Sequence, residues 1–419
     1  MDTGCVAGAR GAQATGPTHG FRPARRQVAA WYGGFAVYAG FVVLITGHAD
    51  RIWAAWAVGA YVITALLLWL TRDWILPIIV AVMGALVIPT TYLVKHGTFI
   101  AEVSVISRAA AHLLSTGTPY LSVSQLNNWV DYNPYLPIMD LFGLPGAAGL
   151  KGLAGDPRVW ETLFTVVLLA LALAIMAPDN PLRCRDCRND VIRQTAFALA
   201  SPVIAFPLAL GITDPPVIAL LCLSLACVYR GWIVRAGLVL GAACAMKYTA
   251  WPAIPVVLAM VLVREGPGVA VRFTSMTAVF SGVLAVIAAP SAMASPESVL
   301  QNTVAFPLGL AKHQTPAESP LPGHELAKLG SAGHMAAVLL MIAAGIAFAI
   351  WLWRRPPKDV RAVAWRLAVA YAAMFTLAPA TRWGYYVYPL VLLGWLALTR
   401  RQPTTSTTAS TGIQEKAIA

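Results

Sequence analysis

The chain has 419 residues, of which 58% are hydrophobic and only 11% charged, against about half and a quarter in a soluble protein. This balance and a mean hydropathy of +0.68 exclude an ordinary soluble enzyme, a soluble nucleotide-sugar enzyme included, and describe a polytopic membrane protein. The 30 basic and 18 acidic residues give a net charge of +12, which in such a chain marks cytoplasmic loops held against anionic lipid rather than nucleic-acid binding.

Residues 1–27, rich in Gly, Ala, Arg and Pro without apolar periodicity, read as a disordered cytoplasmic tail. Arg22, Arg25 and Arg26 then precede an apolar run over 28–46. It resembles a signal peptide, but it is long and no small-residue cleavage site follows, so it reads as a retained first span. Further apolar segments lie at 52–70, 75–94, 159–177, 195–211, 215–229, 274–293, 334–353, 363–379 and 385–399. Most are near the ~20 residues that a hydrocarbon core demands. The expected fold is all-α: about ten spans in one transmembrane domain over 28–401, followed by a second disordered tail, 402–419.

Basic clusters fix the expected orientation. Arg22/Arg25/Arg26, Arg183/Arg185/Arg188/Arg193, Arg230/Arg235, Arg264/Arg272, Arg354/Arg355/Lys358/Arg361 and Arg400/Arg401 should face the cytoplasm. Alternating spans satisfy all of them if the run 236–263, basic at both ends and broken by Lys247, Pro252 and Pro255, is a half-helix hairpin. Its irregular backbone is then buried in protein rather than in lipid. Cys184 and Cys187 form a lone C-x-x-C in a cytoplasmic loop, half of a tetrahedral metal site, and no metal is expected. Two long segments, 95–157 and 294–333, fall outside the cytoplasm. Long ordered loops usually carry function, so the chemistry is expected there.

The first of these loops holds the candidate base. From Glu102 to Ser115, Val103, Ile106, Ala110, Leu113 and Leu114 make one helical face, with Ser104, Arg108, His112 and Ser115 opposite. This predicts a helix at the membrane surface, ended by Gly117 and Pro119. Glu102 sits at the edge of the apolar face, where partial desolvation suits a carboxylate to proton abstraction. The plainer reading is a carboxylate favoured by the helix N-terminus. Asp131, which also reads as a turn residue before Asn133-Pro134, and Asp140 are rival bases.

The remaining candidates are cations and tyrosines. Lys312, His313 and His324 lie in the second loop, and Arg382 stands at the outer end of a span, each a phosphate ligand or simply an interfacial charge. Lys247 inside an apolar run costs roughly 2.5–3.5 kcal/mol on insertion scales. It therefore calls for a partner or a task, with Asp214 one partner to consider, or else snorkels from the hairpin tip.

In order and sidedness these segments resemble C-type glycosyltransferases, specifically glycosyltransferase family 87. The matching stretches are Ala110-Ala111-His112-Leu113-Leu114 through Tyr120, Tyr132 through Pro137 with Tyr135, Gly211 to Asp214, Gly241 through Lys247-Tyr248-Thr249, and Arg382-Trp383-Gly384-Tyr385-Tyr386. The likeness runs from about Phe99 to the final span. It departs at the acid, which the family usually carries as Asp. The resemblance implies a multi-pass plasma-membrane enzyme without a cofactor, its site on the extracytoplasmic face. It implies inverting transfer of a hexose, most often mannose, from a polyprenyl-phosphate donor to a glycolipid, glycan or protein acceptor. By the same resemblance, Glu102 is the base. Because cations are scarce on the extracytoplasmic face, Arg382, Lys312, His313, His324 and Lys247 are the candidate ligands of the donor phosphate, and Tyr120, Tyr132, Tyr135, Asp214, Tyr385 and Tyr386, which lie in the matching stretches, are candidates for the pocket. A lipid or sugar transporter is the alternative, favoured by Lys247 and the hairpin and disfavoured by the lack of an internal repeat.

Overall fold

The computed structural model describes residues 24–177 and 179–399. Most of the expected tails, with Arg22, Arg400 and Arg401, lie outside the described residues. Among the described residues the fold is all-α, with a single isolated bridge between Glu318 and Thr381. The long helices are α1 (Arg25–Ile45), α2 (His48–Leu70), α3 (Ile75–Lys95), α4 (Ala101–Thr116), α5 (Pro157–Met176), α6 (Arg185–Ala200) and α7 (Pro202–Leu210). They continue with α8 (Asp214–Tyr229), α9 (Ile233–Cys244), α10 (Ala253–Glu265), α11 (Pro267–Ala288), α12 (Ser331–Arg354), α13 (Val360–Leu377) and α14 (Val387–Thr399).

Eight of the described helices are long and apolar enough to cross a membrane, and a ninth span arises if the bent pair α6–α7 is counted as one. The expected segment 195–211 is not straight. Pro202 stops α6 at Ser201, since a residue before proline is pushed out of the helical region, and the two pieces meet at 61°. At 16 residues, α8 is about 24 Å long, short of the roughly 30 Å hydrocarbon core.

Lipid tails are as apolar as leucine, so close approach rather than water exclusion selects the helix contacts. Ala54, Ala57, Ala81 and Ala85 are fully buried between α2 and α3. A Cβ on Gly84 would come within 2.2 Å of Ala60 Cβ, so only glycine fits. This glycine lies in a π-turn, Met83–Val87, where the Ala85 carbonyl accepts from Trp53 Nε1 at 2.8 Å. These helices form one apolar core with Ala200, Ala205, Ala209 and Leu210, and a larger core unites α5, α8–α11, α13 and α14.

The chain turns back at Lys247 as expected, but only the first arm is a short helix: Ile233–Cys244 has 12 residues, whereas the second arm, Tyr248–Glu265, has 18 and is one of the eight candidate spans. A Cβ on Gly237 would lie 2.9 Å from the Phe273 carbonyl and one on Gly241 would lie 2.7 Å from that of Thr277, so α9 runs parallel to α11. Only Gly266 separates α10 from α11, which makes that pair antiparallel. Hence α9 rises and α10 returns, with Lys247 at the tip. The tip backbone is not exposed to lipid: Leu136 N–H donates to the Met246 carbonyl at 3.0 Å and Ile138 N–H to that of Ala245 at 3.3 Å. The first long loop thus satisfies the carbonyls that the hairpin leaves open.

The helix α4 forms where its pattern placed it and ends at Gly117, whose φ is 77°. Its buried face is wider than the pattern predicted. Val105 and Ala109 join Val103, Ile106, Ala110 and Leu113, while Leu114 stays 57% exposed. Gly143 packs on Ile106 and Ala110, so α4 is gripped by its own loop on one side. At the opposite end of the bundle arginines dominate. Arg25 donates to the Leu68, Arg72 and Asp73 carbonyls, and Arg230 to those of Ile175 and Ala177 at the end of α5.

Candidate active site

Four chain segments far apart in sequence meet at the loop end: the first turn of α4, the start of α8, the hairpin tip and the stretch 381–388. Glu102 lies in the first turn of α4, where unpaired helical N–H groups favour a carboxylate. Arg382 Nη1 donates to Glu102 Oε1, with side-chain exposures of 33% and 15%. Burial works against the Arg382 charge, but Glu102 and the neighbouring phenols of Tyr385 and Tyr135 outweigh it and hold the guanidinium above its ordinary range.

Arg382 is aimed by the second long loop. Thr381 N–H donates to the Ala317 carbonyl and Ser319 N–H to that of Thr381, both at 3.0 Å, while Trp383 N–H reaches Ser319 Oγ at 3.0 Å. His324 Nδ1 lies 2.9 Å from the Pro379 carbonyl, so His324 braces the turn three residues ahead of Arg382. A Cβ on Gly323 would collide with the Leu377 carbonyl at 2.1 Å, which explains the close docking of this loop on the end of α13.

Behind this pair lies a second. Asp214, fully buried, accepts from Lys247 Nζ at 2.6 Å and from the Tyr388 hydroxyl at 2.9 Å. Lys247 also donates to Thr213 Oγ1 at 3.2 Å. Tyr388 and Thr249 hydroxyls lie 2.6 Å apart, and Tyr371 donates to the Thr249 carbonyl at 2.8 Å. The charge that seemed costly in an apolar run is therefore neutralised, and it locks the hairpin tip to α8 and α14. Tyr135 and Tyr385 link the two pairs. Lys247 Nζ lies 5.5 Å from each ring centroid, a favourable cation–π arrangement. Burial, then the negative charges of Glu102 and Asp214, raise the Tyr135 hydroxyl well above the usual phenol range. Its backbone carbonyl accepts from the Tyr120 hydroxyl at 3.0 Å.

The rival acids occupy other environments. Asp131 Oδ2 accepts the backbone N–H groups of Asn127 and Asn128 at 3.0 and 2.8 Å, closing a turn. Asp140 is fully buried and accepts from Asn133 Nδ2 at 2.9 Å. Burial lifts its carboxyl well above the ordinary range against the opposing pull of Asn133 and Arg108, which favours the protonated form. Asn133 N–H donates to Asn302 Oδ1 at 2.8 Å, tying the two loops together. Tyr132 stacks on Phe306 at 4.4 Å, with His313 6.4 Å from its ring. Tyr132 and Phe306 belong to a neighbouring apolar cluster with Leu126. Lys312 is exposed, and the Tyr386 hydroxyl is bonded to Thr376 at 2.5 Å.

The structure therefore brings Glu102, Arg382, Asp214, Lys247, Tyr135 and Tyr385 together and places Asp131, Asp140, Tyr132, His313 and Lys312 in other surroundings. The sequence reading also misses a group. Arg158, 1% exposed, binds Asp156 through two contacts of 2.8 Å and the Thr98 carbonyl at 3.0 Å. Glu161, equally buried one turn on, lies within electrostatic reach of Lys247 and Glu102, and its Oε2 has no hydrogen-bond partner among the described residues. The available signal was three charges within six residues, 156–161, at the head of an apolar span. Cys184 and Cys187 gain Asp179 as a neighbour, their ligand atoms within 4.8 Å of one another, one ligand fewer than structural zinc takes.

The model of glycosyltransferase family 87 matches residues 135–379, more than half of the chain. Asp140, Asp214, Lys247, Lys312, His313 and His324 fall inside the match; Glu102, Asp131 and Arg382 fall outside it. No curated protein and no solved structure matches the chain.

Proposed function

This chain belongs to glycosyltransferase family 87 and is a membrane glycosyltransferase; on that premise we propose that it moves a hexose, mannose in the first instance, from polyprenyl phosphate to a glycolipid or glycan acceptor, with inversion. The loop end then faces away from the cytoplasm of the cell membrane, because the arginine clusters gather at the other end.

One observation carries the reading: Glu102 and Arg382, 280 residues apart, meet in one partly buried contact. A base and a phosphate ligand are the two groups that the reaction requires. The acceptor hydroxyl loses its proton to a carboxylate while its oxygen attacks the anomeric carbon. The bond from that carbon to phosphate breaks, and the departing polyprenyl phosphate keeps the electron pair. Arginine is suited to that growing charge, since its planar fork takes two phosphate oxygens at once. Without donor, Arg382 is occupied by Glu102. A donor phosphate that takes the guanidinium releases the carboxylate at the moment when a base is needed. Lys247 remains with Asp214 and positions Tyr135 and Tyr385 beside the sugar.

The test is transfer of labelled mannose from a polyprenyl-phosphate donor by the purified protein. Wild type should be active. Arg382→Ala should demand far more donor, and Arg382→Lys should recover only part of the loss. An Arg382→Ala enzyme with unaltered donor dependence would reduce Arg382 to a partner for Glu102. Sidedness is checked by labelling cysteines in intact cells: Lys312→Cys should react from outside and Arg188→Cys only after permeabilisation. The reverse pattern would remove the site from the proposed face.

A further inference from the structure

Away from the loops, at the arginine-rich end, a cavity of about 780 Å³ opens along the seam between the two apolar cores. One wall is α1 with Trp74 and Pro77; the other comes from α5, α8 and α14, and the bent pair α6–α7 forms the roof. The 61° break lies beside the cavity, since Ser201, Val203 and Ile204 are among the lining residues. The volume lies within the roughly 300–1,000 Å³ of small-molecule sites, and no residue named in the reaction lines it.

We infer that this seam binds one anionic, phosphate-headed membrane lipid from the leaflet on the arginine-rich side. Polarity is arranged along one axis. Arg25, Asp190, Arg193 and Gln194 stand at the mouth, and beyond them the lining is almost wholly apolar, with Tyr32, Phe35, Phe197 and Leu390 among its residues. Two guanidiniums thus face one carboxylate. Both guanidiniums lie over Trp74, at 4.8 and 4.9 Å from its ring centroid; Arg25 Nε and Nη1 are taken by the Leu68, Arg72 and Asp73 carbonyls, and Arg193 Nη1 lies 3.9 Å from Asp190. Arg25 Nη2 is shielded from water and has no hydrogen-bond partner among the described residues, which points to an acceptor that the chain does not supply. A phosphodiester offers such oxygens.

The dimensions select a lipid rather than a soluble anion. From Arg25 to Phe35 the wall of α1 runs ten residues, about 15 Å at the helical rise. That is half of the roughly 30 Å hydrocarbon core, the depth of a single leaflet. A hydrocarbon chain anchored at the arginines would therefore end near Phe35 and Leu390, within the cavity. A lipid without phosphate, such as diacylglycerol, would fill the same space but leave the guanidiniums without their acceptor.

The experiment uses the delipidated full chain in detergent and follows thermal unfolding as phosphatidylglycerol or diacylglycerol, which has the same tails and no phosphate, is added. The expected result is a rise of several degrees with phosphatidylglycerol and a much smaller one with diacylglycerol. Arg193→Gln should lose most of that difference. Gly394→Phe, whose added side chain starts in open space on a lining helix, should abolish the response to phosphatidylglycerol while Arg193 is intact. Equal stabilisation by the two lipids, an undiminished response in Gly394→Phe, or the full effect from inorganic phosphate alone would each overturn the assignment.

Discussion

The two ends of this bundle hold charge in opposite ways. At the loop end cations are matched to carboxylates: Arg382 with Glu102, Lys247 with Asp214, Arg158 with Asp156. These pairs are largely buried, and each joins segments or closes a turn on which the centre depends. At the other end Arg25 and Arg26 rest on Trp74 and Trp69, Arg235 on Trp232, and Arg366 on Trp351. Carbonyls at helix ends supply much of the hydrogen bonding there. Charge at the loop end is positioned for geometry. Charge at the arginine end rests on indole rings and helix-end carbonyls and tolerates imprecision. A buried pair can cost as much in desolvation as it returns in attraction, so its retention points to a task in the site rather than to stability.

The strongest way to break the comparison is Glu102→Gln. The amide keeps size and polarity but cannot take the proton, so transfer should fall about 10²–10⁴-fold while thermal unfolding moves little. Asp131→Asn and Asp140→Asn should retain most of the activity, since one closes a turn and the other already favours its proton. A normal Glu102→Gln rate with a dead Asp140→Asn enzyme would transfer the role of base to Asp140.

Next comes Lys247→Met, which leaves Asp214 buried without its cation. Loss of one member of such a pair typically costs about 3–5 kcal/mol. The variant should unfold at clearly lower temperature in detergent, and the double variant Lys247→Met/Asp214→Asn should recover part of the loss. An unchanged melting temperature in the single variant would mean that the pair does not hold the hairpin tip.

The smallest effect is expected at the arginine end. Arg235→Gln gives up one exposed cation–π contact worth about 0.5–1 kcal/mol, and its transfer rate should equal that of wild type. A rate loss comparable to that of Glu102→Gln would show that the two ends are coupled.

Much of this was legible beforehand because lipid imposes strict terms. Apolar runs of the required length marked the spans, and basic residues at both ends of 236–263 demanded a hairpin that the structure contains. Glu102 and Lys247 were readable as charges out of place. Their partners were harder to read. Nothing in the local sequence ties Glu102 to Arg382, because a contact across 280 residues is set by the docking of α13 and α14. The bend at Ser201-Pro202 was written in the sequence, yet hydropathy runs smoothly through it and hides it. Arg158 drew no reading from the sequence, since only packing shows that it is buried to 1%.

The same 280-residue separation has a consequence for biosynthesis. Glu102 leaves the ribosome early, and its arginine follows only when the last helices are made. At the usual 5–20 residues per second of synthesis, the carboxylate waits for roughly 15–60 s in the membrane without its counter-charge. A nascent or truncated chain can therefore insert most of its helices while Glu102 and Arg382 have yet to meet.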